Sequence, residues 1–211
     1  MNTSTDRTRF ARALAVVGAT NPGDAVFDDL MTRYREEHRH YHTAAHVEAC
    51  VRHLCRFGAL AENASEIELA LWFHDAIYQT RSSDNEAASA RWARRFVADA
   101  GGSDELGQAV EDHILATRHL EPLRRDSSAW VVDIDLGILG APAAVYDRFE
   151  ADIRSEYVWV PGPLFRRKRA EILRGFLERP SIYLTDLFRD ELESRARENV
   201  GRAVEALAPR R

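Results

Sequence analysis

Apolar residues recur along this chain every three or four positions, and two-residue alternation is nearly absent, so the pattern predicts helices throughout. A first helix is expected over Thr5–Val17, closed by Gly18 and the Asn21, Pro22, Gly23 turn. A second opens near Asp24 and carries Val26, Phe27, Leu30 and Met31 on one face. The Thr43–Phe57 segment sets Val47, Val51, Leu54 and Cys55 at helical spacing, and Gly58 follows it. Glu66–Tyr78 is apolar on most sides, with Ile67, Leu69, Ala70, Leu71, Trp72, Phe73 and Ile77, which marks it as the central helix.

A polar loop over Gln79–Asp84 comes next, and Ser83 with Glu86 has the capping-box spacing that opens a helix to Ala100. Gly101, Gly102 and Ser103 end that helix, and Asp104–His119 forms another. Ser127–Gly140 is the one stretch that could pass for a buried strand; without a partner strand it reads as a buried helix or turn. Pro142 suits the first turn of a helix reaching about Trp159. Pro161, Gly162 and Pro163 interrupt the chain before Leu164–Glu178, and Arg179 and Pro180 precede a last helix over Thr185–Leu207. The sequence has no internal repeat or long linker, so the expectation is one all-α domain over residues 1–211, its core spanning about 24–200.

Composition narrows the partners. Hydrophobic residues make up 45% of 211, enough for a sizeable core, and no apolar run approaches the roughly 18 residues of a membrane span. Net charge is −5, so no global positive field recruits nucleic acid or anionic lipid; neither stable nucleic-acid binding nor membrane association is expected. Arg166, Arg167, Lys168 and Arg169 read as a solvated helix face. Cys50 and Cys55 are too few for a disulfide framework and lack zinc-finger spacing, which fits a reducing cytoplasm. Arg7, Arg9 and Arg12 ahead of Ala13–Val17 loosely resemble a leader, but Asp6 and the short run favour an amphipathic first helix.

Four groups sit where a cation would be wanted. His42 and His46 are four apart, sharing a face if their helix begins early enough. His74 and Asp75 fall in the most apolar helix, and Asp133 and Asp135 in the run from Val131 to Leu136. Ionisable groups among aliphatics are costly to bury unless paired, and a divalent ion would stabilise the carboxylates while accepting imidazole lone pairs. His113 and His119 form the fourth group, at the end of a helix. Asp133 and Asp135 point in different directions on a helix, so only one should reach an ion. His38, His40 and His53 read as ordinary histidines.

The order His46, His74-Asp75, Asp135 resembles the signature of the HD superfamily of metal-dependent phosphohydrolases. Tyr34 to His46, Ala70 to Tyr78 with Asn85, Glu86 and Ser89, Leu115 to His119, Asp133 to Gly140 and Arg154 to Tyr157 are together similar to one bacterial branch of it, over roughly residues 27–200. The resemblance implies a helical bundle with the metal among its central helices, ligated by His46, His74, Asp75 and Asp135. It favours Asp135 over Asp133, and casts His42 as the proton donor to the leaving oxygen. Acidic residues that many members carry one turn after the His-Asp pair are replaced here by Ile77, Tyr78 and Gln79; Glu86 could substitute or could serve as the helix cap. His119 is divided between a phosphate or second-metal contact and a helix C-terminal charge.

Two imidazoles and two carboxylates suit Mn, Fe, Co, Ni or Zn, without excluding Mg. The expected activity is hydrolysis of a small phosphomonoester or phosphoanhydride, a nucleotide among them, by attack of metal-bound water. His42, Asp75 and Glu86 form the catalytic set, and Arg39, Arg118 and His119 contact the substrate. The alternative is a helical sensor that binds a metal or nucleotide without turnover.

Overall fold

The computed structural model describes residues 3–16, 18, 24–57, 63–119 and 127–208, with side chains from residue 7 onwards. The expected turn at Asn21 to Gly23, and Gly58, lie outside these residues. Among the described residues the protein is all helical, as the periodicity predicts. The helices are α1 (Thr3–Val16), α2 (Asp24–Arg33), α3 (Ala44–Phe57), α4 (Ala64–Phe73), α5 (Asn85–Asp99), α6 (Asp104–Ala116), α7 (Ser128–Asp135), α8 (Ala143–Glu156), α9 (Gly162–Glu178) and α10 (Asp186–Leu207). A 3₁₀ helix, Leu136–Gly140, follows α7 directly, so the ambiguous run from Ser127 to Gly140 is helical along most of its length. No single described helix is long and apolar enough to cross a membrane. The chain divides into two compact units, residues 1–135 and 136–211.

In the first unit α4 is the centre, touching α1, α3, α5, α6 and α7. That explains its all-round apolarity: every residue from Ile67 to Phe73 is buried. Phe10 of α1 packs against Phe27 (5.7 Å between centroids) and edge-on against Trp72 (5.8 Å), while Phe73 stacks on Phe96 of α5 at 5.4 Å. Fully burying an aromatic of this kind stabilises by roughly 1.5–3 kcal/mol. The one charge on α4's buried surface, Glu68, is matched by a two-pronged Arg9 at 2.6 and 3.0 Å. The α5–α6 hairpin closes tightly at Gly107, where a Cβ would stand 3.3 Å from the Arg94 side chain. Ser103 caps α6 by accepting the Leu106 amide at 3.2 Å.

The expected helix over Glu66–Tyr78 ends at Phe73, so His74 and Asp75 stand at the helix terminus rather than in its middle. A buried C-terminus leaves carbonyls without intrahelical donors, and the local sequence supplies them. The His74 amide bonds the Ala70 carbonyl at 2.8 Å, and the His74 ring nitrogen Nδ1 bonds that of Leu71 at 2.9 Å. The Tyr34 hydroxyl donates to the Trp72 carbonyl at 3.0 Å, and the Ala76 amide to that of Phe73 at 2.9 Å. Ile77 and Gln79 are then tethered to Ser89 and Asn85 of α5 at 2.9 and 3.0 Å.

In the second unit α10 packs along α9 and the 3₁₀ helix. Gly140 makes the closest approach, since a Cβ there would lie 2.7 Å from Leu192 Cβ and 3.0 Å from the Tyr183 hydroxyl. Asn199 donates to the carbonyls of Leu139 (2.9 Å) and Ala141 (2.8 Å), ending the 3₁₀ turn. The Glu193 carboxylate accepts the amides of Ile182 (3.0 Å) and Tyr183 (3.2 Å), fixing the link between α9 and α10.

Candidate metal centre

Three helices of the first unit bring the centre together. His46 projects from the first turn of α3, beside the apolar stripe of Val47, Cys50, Val51 and Leu54. His74 and Asp75 come from the end of α4, and Asp135 is the last residue of α7. The His46 and His74 side chains are 2% and 1% exposed, against 15% and 16% for Asp75 and Asp135, so carboxylates form the open side.

The donor atoms converge. His46 Nε2 lies 3.1 Å from His74 Nε2, 3.5 Å from Asp75 Oδ2 and 3.1 Å from Asp135 Oδ1. His74 Nε2 lies 3.0 Å from Asp75 Oδ2 and 3.6 Å from Asp135 Oδ1. Two ligands about 2.1 Å from one first-row ion stand about 3.0 Å apart at an octahedral right angle and about 3.4 Å apart at a tetrahedral angle. The separations in this cluster cover that range. The tautomer is also set: a carbonyl only accepts, so the Leu71 carbonyl holds the hydrogen on His74 Nδ1 and leaves Nε2 to face the cluster. Were both imidazoles neutral, as ligands are, the two carboxylates would call for two positive charges, which one divalent ion could supply.

Electrostatics point the same way. Burial works to lower the His74 pKa, yet the charges and hydrogen bonds of Asp75 and Asp135 hold it well above the ordinary value. Burial works to raise Asp75, but the charges of His74 and His42 pull it far below the carboxylate range. Burial opposes Asp135 too, and hydrogen bonds from His119, His46 and His74 keep it well below its usual value. Both acids are therefore ionised. In the metal-free centre the His74 imidazolium supplies positive charge beside these carboxylates, aided by the negative end of α4.

Cys50, one turn after His46, also stands here, and His46, Cys50, His74 and Asp135 offer donor atoms all within 4.8 Å of one another, a group that could hold a metal ion. Its sulfur lies 3.8 Å from His46 Nδ1 and 3.7 Å from Nε2. Near-equal distances put it alongside the ring, off the line of the Nε2 lone pair, while Asp75 Oδ2 lies 3.5 Å from His46 Nε2 and 3.0 Å from His74 Nε2. Burial first, then the charges of Asp135 and Asp75, push the Cys50 thiol well up, which keeps it neutral. Cysteine counting passed over this residue; its signal was the His46-to-Cys50 spacing of four. Asp133 is wholly buried and contributes nothing to this group.

The remaining expected residues fall differently. His42 precedes α3 instead of sharing its face with His46; its ring stacks on Tyr78 at 4.2 Å and stands 6.1 Å from the His46 ring. Tyr78 is a platform that sequence reasoning did not single out. Arg39, expected on substrate, is corrected to a brace: its side chain is 0% exposed. Its guanidinium donates to the carbonyls of His42 (3.1 Å), Asp75 (2.7 Å) and Ala76 (3.1 Å) and to Glu36 (3.0 Å). Arg118 is a third exposed and meets Asp84 at 3.5 Å. His119 Nε2 bonds Asp135 Oδ2 at 3.0 Å, so this nitrogen faces a ligand and not a substrate. Glu86 lies in the first turn of α5, outside the gathered donors, and the Ser83–Glu86 capping box does not form. The cap position falls on Asp84, one residue late, which puts Glu86 at the second helical position where it cannot reach back.

Comparison with protein-family models, with curated proteins and with solved structures gives no match.

Proposed function

We propose that the chain is a metal-dependent phosphohydrolase of the HD superfamily, acting on a small phosphomonoester or phosphoanhydride such as a nucleotide. The observation that carries this reading is the convergence of two imidazoles and two ionised carboxylates, from three helices, with 3.0–3.6 Å between the two imidazole nitrogens and from these to the carboxylate oxygens. His46, His74, Asp75 and Asp135 would hold the ion, drawn from Mn, Fe, Co, Ni, Zn and Mg. When bound, it supplies a Lewis acid for a phosphoryl oxygen and lowers the pKa of water.

The chain's own residues do the rest. His42 is half-exposed beside the open carboxylate side and is kept face-on to Tyr78, a posture suited to passing a proton to the departing oxygen. Its backbone carbonyl is pinned by Arg39, which also holds the carbonyl of Asp75, so proton donor and ligand keep a fixed relation. Arg118, a third exposed and 3.5 Å from Asp84, presents a guanidinium suited to a phosphoryl oxygen.

Elemental analysis of the purified protein should find a first-row metal near one equivalent. A phosphatase screen with Mn(II) and Ni(II), across nucleotides and phosphomonoesters, should then show turnover that Asp75→Ala abolishes. His42→Ala should keep the ion and lose rate, whereas His46→Ala should lose the ion. Metal retained without turnover on any substrate would replace this reading with that of a non-catalytic sensor.

A further inference from the structure

Asp135 has two oxygens facing different ways. Oδ1 faces His46 at 3.1 Å and His74 at 3.6 Å, while Oδ2 lies 3.0 Å from His119 Nε2. An ionised carboxylate only accepts, so Nε2 of His119 carries the hydrogen. The carboxylate's terminal torsion is broad and two-fold, and no rotamer well fixes its plane. A second anchor has to do so, and the His119 imidazole is placed to be that anchor.

The backbone at His119 adds an independent observation. It stands three residues beyond the last residue of α6 with φ of 54°, the only non-glycine at positive φ among the described residues. Glycine or asparagine is the usual occupant of that conformation after a helix, because a Cβ there crowds the following carbonyl; histidine tolerates it better than most residues but is still strained. A glycine would end α6 with less strain and would leave Asp135 Oδ2 without this donor. Strain held at such a position is expected where a side chain has a task.

We infer that His119 is a positioning residue: it locks the carboxylate plane of Asp135 so that Oδ1 stays aimed at the metal, and its strained backbone is kept for that purpose. This rests on the metal-centre reading proposed above. Outer partners of ligating side chains characteristically change metal affinity by about 10–100-fold when removed.

The test compares His119→Ala with His119→Gly in the full chain, stripped with chelator and titrated with Mn(II) or Zn(II) by calorimetry. Alanine keeps the backbone strain and glycine relieves it, while both delete the imidazole. Affinity should therefore fall about 10–100-fold, and alike, in both variants. The metal-free glycine variant should melt above the alanine variant. A merely structural role would rank affinity with melting temperature; near-wild-type affinity in His119→Gly with a loss only in His119→Ala would overturn the inference. So would wild-type affinity in both. A wild-type chain that binds neither ion would overturn the metal-centre reading itself, and the two failures are told apart by the wild-type titration.

Discussion

Replacing Arg39 by methionine removes the charge while keeping a long apolar stem in a fully buried slot between the Tyr34 and Tyr78 rings, 5.2 and 5.4 Å away. Three main-chain carbonyls, those of His42, Asp75 and Ala76, then lose a charged donor, and Glu36 loses its partner. Leaving a buried acceptor unsatisfied costs about 1–3 kcal/mol. Each carbonyl keeps a second lone pair and His42 is half-exposed, so the sum over the three carbonyls should stay near the lower end, about 3–5 kcal/mol. For a chain of this length that corresponds to a melting temperature lower by roughly 6–20 °C. Circular dichroism melts of metal-free protein would measure it. Glu36→Gln is the control: this partner is 31% exposed and the amide oxygen can still accept from the Arg39 Nε–H, so it should cost less than the methionine variant. Arg39→Lys should fall between, since one ammonium cannot span all three carbonyls. A methionine variant melting within about 2 °C of wild type would refute the brace.

Gly140→Ala should destabilise by about 1–3 kcal/mol, because the new methyl meets Leu192 Cβ at 2.7 Å and its carbonyl at 3.1 Å; chemical denaturation measures this, and an unchanged midpoint would contradict the close approach. Glu193 gives a pH dependence: burial works to raise its pKa, but the amides of Ile182 and Tyr183 and then Arg197 bring it below the ordinary value. A carboxyl depressed on folding stabilises above its unfolded pKa of about 4.3 and loses that contribution as pH falls through the folded value. Wild type should therefore melt above Glu193→Gln at pH 7, and the gap should narrow as pH falls below about 4; a gap that widens on acidification would contradict it.

Much of this was legible in the chain because helical periodicity survives averaging over a whole turn. The stripe of α3 and the all-round apolarity of α4 follow directly from burial of one face or of all faces. The clustered side chains were legible for another reason: His74, Asp75 and Asp135 are ionisable groups among residues that exclude water, and such groups need a partner. What escaped was whatever depends on one residue of register or on who is nearby in space. The end of α4 moved from Tyr78 to Phe73 because Tyr34, distant in sequence, and the His74 ring satisfy carbonyls of its last turn, while Arg39 takes the carbonyl of Asp75 just beyond it. The α5 cap moved by one residue and with it the meaning of Glu86. Arg39 reads as a phosphate ligand by type alone; only its complete burial assigns it to the backbone. Cys50 lacked the spacing of a thiolate motif, and its place beside His46 emerges from one helical turn.

The donors sit at positions 46, 74, 75 and 135, so nearly the entire first unit must be synthesised before they can meet. A nascent chain that has emerged only as far as α6 owns two imidazoles and one carboxylate but lacks the last acid. Capture of the proposed ion would thus be a late event, and mass action would tie its retention to the integrity of α3, α4 and α7 together. If the proposed ion is bound, a chelator should loosen all three at once, and amide exchange should report that loosening at residues far from any donor atom.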